Sequence, residues 1–199
     1  MPNYKFQDTG RFLVEQTAID GLCVIKLKPF IDHRGEFTRM YCQDEFYSLG
    51  LKKPIVQINK SRTQKSGSIR GMHFQNGVCA EDKVISCLTG RVFDVAVDMR
   101  PNSATYLSWF GIELSANNHT SLLIPVGFAH GFQSLKDDSE IIYFVTNQYN
   151  NLAEDGLHPL DPKLNIQWPL PCADISAKDN SRLLLNQRSE FRSCHDKPT

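Results

Sequence analysis

The sequence predicts an all-β fold, a jelly-roll barrel with few short helices. Three observations carry this. Short runs rich in Val, Ile, Phe and Tyr recur between turn residues, as in a sandwich or barrel. Only residues 43–48 read as a helix, far too little for a βαβ architecture. Arg91–Asp98 alternates, with Val92, Asp94, Ala96 and Asp98 on one face and Phe93, Val95 and Val97 on the other. One apolar and one more polar face is what a strand lining a barrel shows.

The elements follow in order. Strands are expected over 23–27 and 36–41, separated by the turn Asp32-His33-Arg34-Gly35. Gln43 or Asp44 starts the helix and Gly50 follows its end, which are ordinary start and stop signals. Strands at 55–61 and 68–74 flank Ser66-Gly67, and strands at 83–88 and 92–98 flank Thr89-Gly90. Gly90 suits a tight hairpin turn, because glycine takes positive φ without steric cost. Strands at 106–113, 121–124, 127–134 and 140–148 complete the set, punctuated by Pro101-Asn102 and Lys136-Asp137-Asp138. From residue 150 Asn and Pro dominate, the composition of an ordered loop, which Ile166 and Trp168 pin to the barrel. Residues 1–185 thus read as one domain and 186–199 as a polar tail that frays.

Composition narrows the function. A chain of 199 residues buries roughly 70% of its unfolded surface, so it needs neither disulfides nor metals to fold. The 22 basic and 22 acidic residues cancel, which argues against a nucleic-acid partner, since such affinity rests on clustered cations. No apolar run approaches the roughly 20 residues that span a bilayer. The opening residues lack the apolar core of a secretory leader. A soluble cytoplasmic protein with no membrane partner is expected. The six cysteines (Cys23, Cys42, Cys79, Cys87, Cys172 and Cys194) form no CxxC pair. They read as reduced and structural, with Cys194 exposed in the tail.

Two histidine neighbourhoods stand out. In Ile69-Arg70-Gly71-Met72-His73-Phe74-Gln75, alternation puts His73 and Gln75 on one face. The second is Pro125-Val126-Gly127-Phe128-Ala129-His130, a Pro-x-Gly-x-x-His pattern that resembles the second motif of the cupin superfamily. Metal-binding cupins carry His-x-His and a following Glu in their first motif, where this chain has His73-Phe74-Gln75. Two histidines and a glutamine are a poor ligand set for zinc or iron, so neither metal nor cofactor is expected. A lone barrel histidine is ordinarily a packing residue. Here it has company: Arg70 on the same strand, Lys83 opening the next, and Tyr143 on a late one. Burying that cluster would be costly without a ligand to satisfy it.

Ordered segments extend the pattern. They include Asp32 to Phe37, Gln57-Ile58-Asn59, 69–75, 90–100, 124–132, Asp161-Pro162, 166–169 and Ile175-Ser176-Ala177-Lys178-Asp179. Together they resemble the dTDP-4-dehydrorhamnose 3,5-epimerase family of nucleotide-sugar epimerases, from about residue 20 to 179. The resemblance implies His73 as base, Asp179 as its orienting carboxylate, Tyr143 as acid and Lys83 beside the sugar carbonyl. It implies substrate contacts at Arg34, Gln57, Asn59, Arg70, His130, Glu154 and Lys178, with Tyr149 as an aromatic near the pocket. It also implies a homodimer in which an N-terminal strand joins the partner's sheet, so that residues near Arg34 serve the neighbouring site.

The residue types suit the chemistry. A proton α to a ketone leaves only if the enolate is stabilised, which a lysine ammonium can do. A neutral histidine held by a carboxylate is a suitable base near pH 7. A tyrosine on the opposite side can return the proton to the other face. Arginine's planar fork of donors suits a diphosphate. Two positions depart from the family pattern. Arg39 stands where the family has a Glu that helps bind the base, and Gln148-Tyr149 stands where two tyrosines are common. Glu accepts the N3–H of thymine whereas Arg only donates, so Arg39 implies a base other than thymine, such as cytosine.

The expectation is a metal-free epimerase inverting C3, C5 or both of a nucleotide-linked 4-keto-6-deoxyhexose in deoxysugar biosynthesis. The rivals are a single-centre epimerase or ketoisomerase on the same scaffold, a non-catalytic nucleotide-sugar binder, and a metal cupin oxygenase. A binder needs no acid–base pair, and Gln75 disfavours the oxygenase.

Overall fold

The computed structural model describes residues 6–188; Cys194 and the tail from 189 onward lie outside them. The chain runs through β1 (Phe6–Asp8), β2 (Phe12–Gln16) and β3 (Cys23–Leu27) to a small hairpin, β4 (Phe30–Asp32) and β5 (Gly35–Phe37). Helix α1 (Gln43–Ser48) comes next. Then follow β6 (Gln57–Thr63), β7 (Ser68–Gln75), β8 (Lys83–Thr89) and β9 (Arg91–Asp98). They are succeeded by β10 (Trp109–Ser115), β11 (Thr120–Ile124), β12 (Phe128–Ser134) and β13 (Ser139–Val145). Two short strands, β14 (Glu154–Gly156) and β15 (Asp174–Ile175), precede α2 (Ala177–Asn180) and a 3-10 turn at Leu185–Gln187.

Seven strands form one sheet in the order β1-β2-β3-β11-β8-β13-β6. The second runs β10-β9-β12-β7-β14, with β15 added in parallel to β7. The two pack face to face as the expected jelly roll. Between them lie Val24, Ile85, Val92, Ala96, Leu114, Leu122, Ile124, Phe128, Phe132 and Ile141. Period-two alternation sends the other face of each strand outward. Outside the first sheet, Phe12, Ile25, Val84, Leu123 and Phe144 are covered by Phe46 of α1 and by Leu49 and Leu51. The Phe12 and Phe46 rings meet edge to face with centroids 5.1 Å apart, a contact worth about 1 kcal/mol beyond its buried area.

The structure departs from the sequence expectation in instructive places. Both faces of β9 are buried, because residues 157–168 lie across the outside of the second sheet and cover Val95 and Val97 with Leu157, Leu164 and Ile166. Trp168 packs edge-on against Phe93 and donates its indole N–H to the Pro159 carbonyl at 2.9 Å. Gly90 makes no hairpin: β8 pairs with β11 and β13, while β9 pairs with β10 and β12. At φ +75 it is the corner where the chain changes sheets, and a Cβ there would lie 2.4 Å from Ser139 Oγ. The strand expected over 36–41 stops at Phe37, since Met40 and Tyr41 turn in to pack beside Phe46 and Phe144. Strand β10 begins only at Trp109 because the preceding loop is gathered around the buried Asp98 carboxylate. Burial would raise that carboxyl, but Arg100, Ser103 and Thr105 hydrogen-bond it and hold it down at about 2.

Cys23, Cys42, Cys79, Cys87 and Cys172 are free thiols. Burial pushes Cys23 and Cys87 up to about 11, so they act as small apolar side chains. No helix among the described residues is long and apolar enough to cross a membrane.

Candidate active site

The inward rows of both sheets are apolar along most of their length and turn polar at one end. Strand β8 opens with Lys83 before Ile85 and Cys87, and β13 places Tyr143 after Ile141. Strand β12 sets His130 between Phe128 and Phe132, and β6 carries Gln57, Asn59, Ser61 and Thr63 inward. The polar ends enclose a cavity of about 730 Å3. Arg70, His73, Lys83, His130, Tyr143, Glu154, Lys178 and Asp179 all line it.

Arg70 and His73 stand three apart, so simple alternation would point them to opposite faces. A bulge resolves this: on β12 His130 pairs with His73 and Phe132 with Arg70, so Gly71 and Met72 lie opposite the single Gly131. Gly71 sits in that bulge at φ +122, and a Cβ there would lie 2.5 Å from Gly131 Cα. Only glycine allows β7 and β12 to approach so closely.

His73 Nε2 lies 2.6 Å from Asp179 Oδ1. Asp179 comes from α2, where Ser176 Oγ caps the helix by accepting its backbone N–H at 3.0 Å. Its other oxygen accepts the Gly71 N–H at 3.2 Å. Burial alone would raise the Asp179 carboxyl, but the hydrogen bond and charge of His73 and the donor from Gly71 hold it below the ordinary carboxylate range. Asp179 is therefore ionised and can only accept. Nε2 must carry the proton, and Nδ1 is left as the basic nitrogen.

A second buried pair mirrors the first. His130 Nε2 lies 2.9 and 3.1 Å from the two oxygens of Asp94 on β9. Lys83 Nζ lies 3.3 Å from Glu81 Oε1 and donates to the His73 carbonyl at 3.5 Å. Burial and the charge of Glu81 push the Tyr143 hydroxyl up, against a smaller opposing effect of Arg70. Tyr143 is thus a phenol at neutral pH. Arg70 donates to Thr63 Oγ1 at 3.0 Å and to the Arg62 carbonyl at 3.3 Å.

The rim is built around Glu154. It accepts from Tyr149 Oη at 2.5 Å, from Lys178 Nζ at 2.7 Å and from Arg182 Nη2 at 3.4 Å. Gln57 and Asn59 hydrogen-bond each other at 2.9 Å, and Gln57 Oε1 accepts the Tyr149 backbone N–H. They share the inward row of Ser61, and Asn59 lies opposite Tyr143 in register. Gln57, Asn59, Tyr149, Arg34 and Arg39 do not themselves line the cavity. Arg34 tips the β4–β5 hairpin and pairs with Asp32, while Arg39 pairs with Glu45 at 3.3 Å. Gln75 is a structural tie that donates to the Cys79 and Gln148 carbonyls and to Glu81, and accepts from the Asn150 N–H.

Sequence reasoning missed Asp94, Glu81, Ser176 and Arg182. Asp94 was legible as a carboxylate set between Val92 and Ala96 on one face of its strand, a pattern that asks for a buried partner. Glu81 and Arg182 sit in irregular segments where no periodicity points.

Comparison with known proteins agrees with this geometry. Residues 16–187 match the family model described as dTDP-4-dehydrorhamnose 3,5-epimerase. The chain is 42% identical over 177 residues to the dTDP-4-dehydrorhamnose 3,5-epimerase of Salmonella typhimurium, covering 88% of this chain and 96% of that one. It is 34% identical over 169 residues to the dTDP-4-dehydrorhamnose 3-epimerase of Streptomyces niveus, covering 84% and 81%. Among solved structures, the dTDP-6-deoxy-D-glucose-3,5-epimerase of Legionella pneumophila, in complex with dTDP-4-keto-L-rhamnose, superposes with a TM-score of 0.83. That pair shares 40% identity over 87% of this chain and 93% of the other. The chain belongs to the dTDP-4-dehydrorhamnose 3,5-epimerase family.

Proposed function

We propose that the cavity inverts C3 and C5 of a dTDP-linked 4-keto-6-deoxyhexose by proton removal and return. The observation that carries the reading is the His73–Asp179 pair set in one cavity with Lys83 and the phenol of Tyr143. Nδ1 of His73 takes the proton α to the ketone, and the imidazolium so formed is stabilised by Asp179. The Lys83 ammonium faces the enolate oxygen. Tyr143 returns a proton from the other side, which inverts the centre. Arg70, whose described partners are neutral, suits the diphosphate.

Thymidine is the base in the names of the relatives, and Arg39 is held by Glu45 rather than facing the cavity. Both weigh against the different base inferred from Arg39. Titration with dTDP, CDP and GDP checks the choice, and the reading holds if dTDP binds tightest.

We propose a homodimer as well. Phe30, Ile31 and Phe37 on the β4–β5 hairpin are exposed, as are Val56 and Ile58 beside the free edge of β6. Exposed apolar side chains near an unpaired strand edge suit a second copy of the chain. Arg34, at the hairpin tip, would then reach the partner's cavity. Sedimentation of Phe37→Asp should show a monomer where the parent is a dimer.

The catalytic reading is tested by incubating the substrate with enzyme in D2O and following C3 and C5 by NMR. Deuterium should enter both positions with the parent and neither with His73→Ala, while dTDP affinity stays within a few-fold. Exchange retained by His73→Ala would remove His73 from the role of base.

A further inference from the structure

Glu81 lies in the segment between β7 and β8, two residues before Lys83, and is not among the residues that line the cavity. Its carboxylate nevertheless reaches the back of the site. Oε1 lies 3.3 Å from Lys83 Nζ, with both side chains about one-tenth exposed. Oε2 accepts from Gln75 Nε2 at 3.1 Å. Among the described residues the ammonium's one other acceptor is the His73 carbonyl, at a long 3.5 Å. Glu81 is therefore the contact that decides where the ammonium sits.

We propose that Glu81 is a positioning residue for this reaction: it holds the Lys83 ammonium against the cavity. The inference rests on the epimerase reading of the cavity. The groups around Glu81 come from four strands: Lys83 from β8, Gln75 from β7, His130 from β12 and Tyr143 from β13, with Asp94 of β9 behind His130. Neighbouring Asp82 is turned away, accepting from the Val126 N–H and from Thr146 Oγ1. Burial raises the Glu81 carboxyl, and Lys83, Gln75 and His130 oppose that rise. Its negative charge in turn raises the Tyr143 hydroxyl. Through Lys83 this carboxylate fixes the cation that meets the enolate.

Glu81→Gln removes the charge and keeps an oxygen for Lys83, whereas Glu81→Ala removes both. With Glu81→Gln the alkaline limb of kcat/KM for deuterium exchange at C3 and C5 should move down by about one pH unit. The rate on the plateau should fall by less than about tenfold, because one hydrogen bond is weakened rather than lost. Glu81→Ala should lose about 100-fold, chiefly in kcat, since the ammonium is no longer held in place. A second measurement needs no turnover. The tyrosinate absorbance that disappears in Tyr143→Phe should titrate at lower pH when Glu81 is Gln. A Glu81→Ala rate within about tenfold of the parent, with the alkaline limb of Glu81→Gln left in place, would overturn the proposal. Should Glu81→Ala fail to fold, Glu81→Gln decides alone. If the parent exchanges no deuterium at either carbon but the Tyr143 titration still shifts, the epimerase reading fails while the link between Glu81 and Tyr143 stands.

Discussion

Asp179→Asn isolates the contribution of one charge to the proposed base. The amide keeps the size of the side chain and one acceptor oxygen, so His73 can still be oriented from 2.6 Å. What is lost is the attraction between a carboxylate and the imidazolium that forms when His73 takes the substrate proton. With charge centres about 4 Å apart and an effective dielectric near 20, that attraction is about 4 kcal/mol. The neutral hydrogen bond that remains returns about 1 kcal/mol. The net loss of about 3 kcal/mol corresponds to roughly 100- to 1000-fold in rate. The assay is the initial rate of deuterium entry at C3 and C5 with saturating substrate, paired with calorimetric titration of dTDP. Affinity should stay within a few-fold of the parent, because the buried Asp179 carboxylate is engaged by His73 and the Gly71 N–H. The same variant carries a stability signature. The Asp179 carboxyl lies below its unfolded value of 3.8, so its contribution is full above that pH and is lost as pH falls through the lower folded value. As pH falls below 3.8 the parent should therefore lose more stability than the variant. An exchange rate for Asp179→Asn within about tenfold of the parent would refute the argument that a buried carboxylate powers the base.

Three further outcomes follow from the same geometry. Tyr143→Phe keeps the ring and its packing, so it should still exchange substrate protons yet form little inverted product, read by NMR of the sugar; normal epimerisation would mean another donor. Gly71→Ala forces a Cβ to 2.5 Å from Gly131 Cα at φ +122, which should cost about 3 kcal/mol or more of stability by urea denaturation and abolish turnover. Dialysis against a strong chelator should leave the exchange rate unchanged, since the place of a second cupin histidine is taken by Gln75, whose amide is engaged with Cys79, Glu81, Gln148 and Asn150; loss of activity restored by a divalent ion would revive the oxygenase reading.

Much of the barrel was legible because period-two alternation is a local signal. It put Val92, Asp94 and Ala96 on one face of β9, and family likeness supplied Lys83, Tyr143 and, from more than 100 residues away, Asp179. The rest depended on contacts that no local pattern carries. Arg70 joins His73 only through the bulge at Gly71, and strict alternation would have separated them. Gly90 looked like a hairpin because its neighbours are strands, yet which strands pair is decided by the packing of two sheets. The outer face of β9 became core because residues 157–168, with little periodicity of their own, carry Leu157, Leu164 and Ile166 to cover it.

The charges in the cavity explain why these residues are gathered at one end of the sandwich. Three buried or half-buried carboxylates each face a basic side chain: Asp179 with His73, Asp94 with His130, and Glu81 with Lys83. A fourth, Glu154, is met by Lys178 and Arg182. A buried charge left alone would be prohibitive, so pairing is what allows the cluster to exist inside a fold. Arg70 differs, since its guanidinium donates to a hydroxyl and a carbonyl and to no carboxylate among the described residues. An anionic substrate therefore completes the arrangement. On the proposed reading, its diphosphate is the counter-charge for Arg70, while His73, paired with Asp179, is left to move the proton.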